Sequence, residues 1–275
     1  MKYTTKEQEE IQSQYLDVKV LCDPSWTKYI LTTHPIEYIS TIGRVNGRII
    51  TNVAPFATCL DTSYNPPYVQ FSAALKQHAV QGQTLPNTRM NTYSNILQNK
   101  LFVVNVPHQG LLEQLDIIAY PYKRKELEDK IVKARLTKMK PFILPQKYNL
   151  YPPLIGECLA HLECIVLDIH RPKGSDHYNI TGEVVGASYN QSLGKNPDEI
   201  RLNLIKQTFH HFGASSQNPS KRYIGYINPT TRSALTFKLE EKPSDDTTLS
   251  LGKKADREQV RFELSKIVAR SNGEK

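Results

Sequence analysis

The chain has 275 residues, a formal net charge of +8 and a hydrophobic content of 39%. This length suits one large domain with an appendage. No segment approaches the run of about 18 apolar residues that a membrane span needs, and the polar N-terminus lacks the apolar stretch of a secretory signal. The four cysteines include no CxxC pair. We therefore expect a cytoplasmic protein with reduced cysteines and no membrane partner.

Much of the positive charge is concentrated between residues 121 and 147, where nine basic residues stand against three acidic ones. A basic segment of this kind can bind nucleic acid or another anionic partner. The bases are not interleaved with aromatic residues, however, and no nucleic-acid-binding module surrounds them. A solvated helix face with mixed charges is the favoured interpretation, and nucleic acid is the disfavoured partner.

The sequence predicts a β-hairpin near the start of the main domain. Apolar and polar residues alternate through residues 36–41, and Asn46-Gly47 supplies the two positive φ angles of a type I′ turn. Pro55 removes a backbone donor from the returning strand. We therefore expect it to bend residues 52–56 out of the ladder.

Short strands dominate the rest of the chain, and helices are few. The clearest strand pattern runs from Glu157 to His170 and is followed by a strand that pairs back as a hairpin. A short helix is predicted to begin at an N-cap residue, Asn91 or Thr92. Because strands and helices do not alternate as βαβ units, the sequence predicts a mainly β, antiparallel barrel with peripheral helices. The other predicted elements are a helical arm at 1–29, strands at 68–72, 101–106, 179–187, 222–227 and 235–239, and helices at 111–119, 125–136 and 198–209.

The chain shows no catalytic or metal-binding motif of its own. No GxGxxG follows a strand, so a Rossmann nicotinamide site is unsupported, and there is no P-loop. His161-Leu162-Glu163 resembles half of a zinc deaminase motif, but the PCxxC half is missing. Because His161 and Glu163 share one face of a strand, packing is the favoured interpretation. If the protein is an enzyme, a bound cofactor is expected to carry its chemistry.

Seven segments in a fixed order resemble the flavin reductase-like family of FMN-binding split barrels. They are His34–Thr41, Asn52–Phe56, Pro66–Ser72, Asn91–Ile96, Phe102–Val106, Glu157–Cys164 and Gly182–Val185. The resemblance implies a split β-barrel domain at residues 30–194, followed by a C-terminal extension at 195–275. It also implies that FMN binds at the interface of a homodimer.

The resemblance further implies which residues bind FMN. Backbone N–H groups and small side chains would face the isoalloxazine ring, and a cation and a hydroxyl at a helix N-terminus would face the phosphate. Met90 stands where the family often has lysine, so the neighbouring Arg89 would supply the charge. The implied ring contacts are Asn52, Val53, Ala54, Pro55, Phe56, Thr58, Cys59, Phe71, Ser72 and Ala73. The implied contacts toward the phosphate are Arg89 and Thr92, and Asn95 matches the family's helix asparagine.

The implied activity is transfer of hydride from NADH or NADPH to flavin, as in an NAD(P)H:flavin reductase. The protein would hold two stacked rings and would need no side-chain acid or base for this step. Two alternatives stay open at this point. One is an FMN-binding protein with other redox chemistry or no nicotinamide-dependent activity, and the other is nucleic-acid binding through residues 121–147.

Overall fold

A computed structural model of the protein describes residues 34–74, 90–120, 127–214, 221–228 and 233–240. The helical arm predicted at 1–29 lies outside these ranges. The described strands are β1 (His34–Pro35), β2 (Glu37–Val45), β3 (Arg48–Phe56), β4 (Leu60–Tyr64), β5 (Pro67–Ala74), β6 (Leu101–Val106), β7 (Lys138–Met139), β8 (Leu154–Ile155), β9 (Ala160–His170), β10 (His177–Tyr189), β11 (His210–Ala214), β12 (Lys221–Asn228) and β13 (Ser233–Glu240). The described α-helices are α1 (Asn91–Asn99), α2 (Leu112–Ala119), α3 (Leu127–Lys133) and α4 (Pro197–Gln207).

The main sheet contains seven strands in the order β3-β2-β6-β9-β10-β5-β4, and each neighbouring pair is antiparallel. The long β9–β10 hairpin has a register shift between Val184 and Gly186, and an irregularity of this kind bends a strand. The predicted mainly β, antiparallel architecture is confirmed. Within the described ranges, no helix is long and apolar enough to cross a membrane.

The β2–β3 hairpin forms as the sequence predicts. Asn46 and Gly47 have φ angles of 50° and 78°, which are the positive values of a type I′ turn. The prediction for Pro55 is wrong, because β3 continues to Phe56 and Pro55 pairs with Tyr38 without a register shift. Among the described strands, β3 and β4 are the two edges of the main sheet. An edge strand accepts proline because an N–H group that faces away from the sheet is not needed for the ladder.

The alternation along β2 sends side chains into two hydrophobic clusters. Ile36 and Tyr38 pack with residues of α2 and α3, whereas Ile39 packs on the other face of the sheet with Phe71 and Phe102. The rings of Phe71 and Phe102 meet edge to face, with 5.2 Å between their centroids, an arrangement that aromatic pairs favour. The second cluster therefore includes residues of β2, β5 and β6, together with residues of β3, β9, β10 and α1.

A second sheet, in the order β1-β11-β12-β13, joins part of the predicted C-terminal extension to the barrel. β1 pairs with β11, and the Ile36 N–H group donates to the Phe209 carbonyl at 3.2 Å. Phe209 also packs beside Tyr38, with 6.3 Å between ring centroids. The two strands predicted beyond residue 220 are confirmed as β12 and β13. The described part of the extension thus packs on the hydrophobic cluster that contains Tyr38.

The histidine and glutamate of the His161-Leu162-Glu163 motif hold loops against the sheet. Glu163 is 1% exposed, and its carboxylate accepts hydrogen bonds from the N–H groups of residues 142–144 at 2.8–2.9 Å. His161 Nε2 lies 2.9 Å from the Ile155 carbonyl oxygen. In the described part of the chain, no group of His, Cys, Asp and Glu could hold a metal ion. The described cysteines are buried free thiols: Cys59, Cys158 and Cys164.

Candidate functional site

Two segments that the resemblance assigned to a ring-binding wall meet at Thr58 and Ser72. The Ser72 N–H group donates to Thr58 Oγ1 at 3.0 Å, and the Thr58 hydroxyl donates to the Ser72 carbonyl at 3.3 Å. Residues 57–59 lie between β3 and β4, outside the paired registers of both strands. Thr58 therefore fastens this irregular segment to β5. We call this contact the Thr58–Ser72 junction.

The residues of the wall form a buried layer and an accessible layer. The buried layer contains Asn52, Val53, Phe56, Cys59, Phe71 and Ala73. The accessible layer contains Ala54, Pro55, Thr58 and Ser72. Ser72 Oγ donates to Asn179 Oδ1 at 2.7 Å, which adds a residue of β10 that the sequence analysis missed. Small side chains in the accessible layer let a flat ligand approach the backbone closely.

Asn52 of the wall also belongs to a buried polar cluster. The other members are Thr41, Thr92, Asn95 and Lys130. Asn52 Nδ2 donates to Thr92 Oγ1 at 2.9 Å, and Asn95 Nδ2 donates to Thr41 Oγ1 at 3.2 Å. Thr41 and Asn52 are cross-strand partners in the β2–β3 hairpin. The cluster therefore joins α1 to both strands of the hairpin.

Helix α1 packs closely on the sheet. It begins at Asn91 after a residue that makes no side-chain cap, so the predicted N-cap at Asn91 or Thr92 is wrong. Thr92 and Asn95 face the sheet with no exposed surface. A Cβ atom at Gly43 would collide with Asn95 Oδ1, so glycine permits this close approach. The cofactor contacts assigned to Thr92 and Asn95 stay predictions, as does that of Arg89, which lies outside the described ranges.

Lys130 is a site residue that the sequence analysis missed. Its Nζ donates to Asn52 Oδ1 at 3.3 Å, and the residue is only 3% exposed. Burial lowers the pKa of Lys130 from 10.5 to about 7. The interpretation of the basic segment as a solvated helix face is therefore wrong at this position. The signal was in the helical spacing, because Lys130 lies on the same face as the buried Leu127, Ile131 and Ala134.

A second ionisable group is Glu37, a half-buried residue that pairs with Phe56 across the β2–β3 ladder. Its Oε2 is enclosed and has no hydrogen-bond partner among the described residues. Burial raises the pKa of Glu37 from 4.5 to about 8. Burial, followed by the charges of Glu37 and Asp61, raises the pKa of the Cys59 thiol above its usual value. Cys59 is thus a protonated, packed thiol rather than a nucleophile.

We expect Glu37→Gln to change how stability depends on pH. Between about pH 4.5 and 8, the folded protein keeps a proton on Glu37 that the unfolded chain releases, so stability falls as the pH rises. Glutamine cannot ionise. The variant should therefore match the wild type at or below about pH 4.5 and exceed its unfolding free energy by up to about 5 kcal/mol at about pH 9. Urea unfolding across this range measures the difference, and parallel pH profiles would contradict the burial of this carboxyl.

Solved structures share the fold of this chain. Nitrilotriacetate monooxygenase component B from Bacillus cereus has a TM-score of 0.57 at 14% identity, covering 83% of this chain and 100% of that chain. A protein proposed to be a flavin reductase with a split barrel domain, from Shewanella frigidimarina, has a TM-score of 0.53 at 15% identity, covering 82% of this chain and 95% of that chain. The predicted split-barrel fold is therefore confirmed.

The family follows from the sequence match. The family model described as "Flavin reductase like domain" matches residues 29–213, which is more than half of the chain. The chain therefore belongs to the flavin reductase-like family. An uncharacterised protein of Aquifex aeolicus is 26% identical over 183 residues, which cover 60% of this chain and 88% of that protein.

Proposed function

We propose that the protein is a cytoplasmic, FMN-binding oxidoreductase that acts as a homodimer and transfers hydride from NADH or NADPH to flavin. The observation that carries this proposal is the Thr58–Ser72 junction in a chain of the flavin reductase-like family. The junction joins the irregular segment after β3 to β5 in one surface. In the implied homodimer, the second chain completes the flavin site.

The residues at the junction fit a flavin ring. The accessible layer has no bulky side chain that would hold the ring away from the backbone. Residues 57–59 lie outside the registers of β3 and β4, so those two ladders do not use their N–H groups. Donors at the pyrimidine edge of a flavin stabilise the negative charge gained on reduction. The flavin would supply the two-electron chemistry, and this chain would bind the ring, orient it and exclude water.

The absorbance spectrum of the purified protein, before and after addition of FMN, tests cofactor binding. We expect a flavin band at about 450 nm that stays with the protein through gel filtration. Anaerobic NADH or NADPH should then bleach this band. FMN that binds but is bleached by neither nucleotide would favour the alternative of other redox chemistry. Failure to take up FMN would exclude both the flavin reductase and the FMN-binding protein with other redox chemistry.

The variant Thr58→Val tests whether the Thr58–Ser72 junction is the binding surface. Valine is close to threonine in shape but makes neither hydrogen bond to Ser72, so FMN affinity should fall about tenfold. Thr62→Val, on the exposed edge strand β4, is the matched control and should leave the affinity unchanged. Titration of the apoprotein with FMN gives the dissociation constants. Equal constants for wild type and Thr58→Val would place the flavin elsewhere.

A further inference from the structure

We propose that Lys130 is an electrostatic positioning residue of the flavin site: its buried ammonium group, held by Asn52, stabilises the reduced cofactor relative to the oxidised cofactor. This inference rests on the proposed function. Asn52 is one of the implied ring contacts, and Lys130 Nζ donates to its side-chain oxygen at 3.3 Å. Nothing in the family resemblance assigned a role to Lys130.

The hydrogen bonds at both ends of the Asn52 amide fix the position of this charge. Oδ1 accepts from Lys130, and Nδ2 donates to Thr92 Oγ1 at 2.9 Å. All three residues are buried. Lys130 lies on α3, which packs against β3, so the ammonium group is held next to the strand that leads into residues 57–59. It cannot swing into solvent without breaking this packing.

Packing alone does not explain a lysine at this position. Transfer of an ammonium group from water to the protein interior costs free energy, and burial lowers its pKa to about 7. Methionine would fill a similar volume without that cost. A positive charge, on the other hand, acts strongly in an interior where water screens it little. The lysine therefore has a use that an apolar side chain would lack.

The chemistry of hydride transfer gives the direction of the effect. In the proposed reaction, hydride would carry two electrons from C4 of the dihydronicotinamide to N5 of the flavin, and the nicotinamide would leave in its oxidised form. The flavin would gain negative charge, which a fixed cation at the site would stabilise. Lys130 should therefore raise the reduction potential of bound FMN. Lys133, on the same helix, is exposed, and water screens its charge.

The test compares the reduction potential of bound FMN in the wild type, Lys130→Met and Lys133→Met at about pH 6, where a lysine with a pKa of about 7 is mostly protonated. Methionine keeps the length of the side chain and removes its charge. In Lys130→Met, the preference for reduced over oxidised FMN should be about tenfold weaker than in the wild type. The reduction potential of bound FMN should therefore fall by about 30 mV, the value for a two-electron couple. Lys133→Met should leave the potential unchanged. Lys130→Arg keeps the charge and should restore the wild-type potential.

The outcomes separate this inference from the proposed function. Thermal unfolding of each variant is measured alongside, and Lys130→Gln, which is neutral but still offers a donor to Asn52, serves if the methionine variant does not fold. Equal potentials in the wild type and a folded neutral variant, both with FMN bound, would overturn the inference alone. Failure of the wild type to take up FMN would instead overturn the proposed function, and the inference with it.

Discussion

Replacing Glu163 with alanine should lower the free energy of unfolding by about 3–5 kcal/mol. The buried carboxylate accepts hydrogen bonds from three consecutive N–H groups, those of residues 142–144. Alanine would leave these groups without their acceptor, and each unsatisfied buried group costs about 1–3 kcal/mol. The same segment carries Leu144, which is buried in a cluster with Leu101 and Leu154. Loss of the anchor should loosen that packing as well.

Urea-induced unfolding at neutral pH measures the effect of Glu163→Ala. Glu157→Ala is the matched control, because within the described ranges the Glu157 carboxylate accepts from a single N–H group, that of the exposed Thr137. The control should lose less than about 1 kcal/mol. Similar losses in the two variants would show that Glu163 does not anchor residues 142–144.

Asn105→Asp should also cost about 3–5 kcal/mol above neutral pH, although the two side chains have the same shape. Asn105 has no exposed surface. Its Nδ2 donates to the Tyr38 carbonyl at 2.9 Å, and its Oδ1 accepts from the Ile155 N–H group at 2.8 Å. Aspartate would set a carboxylate oxygen against the Tyr38 carbonyl and bury a charge. The loss should shrink as the pH falls, because protonation removes the charge.

Thermal or urea unfolding at about pH 8 and about pH 5 tests both parts of the expectation for Asn105→Asp. Asn190→Asp is the matched control. Asn190 Oδ1 accepts from the Ser192 N–H group at 3.0 Å at an exposed position, and aspartate caps such a turn equally well. This control should change stability by no more than about 0.5 kcal/mol. If Asn105→Asp is as stable as the control, the donor role of Asn105 is unimportant.

Local sequence patterns correctly predicted those elements, such as tight turns and hairpins, whose conformation depends mainly on the backbone preferences of a few residues. Asn46-Gly47 fixed the tight turn, because few residues accept two successive positive φ angles. Alternation along β9 and β10 predicted a long antiparallel hairpin, and the structure has it. Pro55 was misinterpreted for a related reason. The missing N–H group is a local fact, but its cost depends on whether the strand lies at the edge of the sheet, and that is a property of the whole topology.

For the candidate site too, the sequence indicated some contacts and missed others. The family resemblance assigned Thr58 and Ser72 to one ring-binding wall. The two residues are hydrogen bonded, and their contact with flavin stays a prediction. The contact between Lys130 and Asn52 could not be predicted, because these residues are 78 positions apart and meet only when α3 packs on β3. Counting charges over a segment also hid Lys130. The angular position of each lysine around the helix would have distinguished Lys130, on the buried face, from its exposed neighbours.

The pairing of β1 with β11 has a consequence for how the protein is made. It joins positions about 175 residues apart, so the chain must close a very long loop before the pair can form. During synthesis, β1 has no partner until residue 211 has left the ribosome. Phe209 reaches the cluster around Tyr38 no earlier. The nascent chain therefore leaves β1 without its described partner and the apolar cluster around Tyr38 incomplete through most of its synthesis.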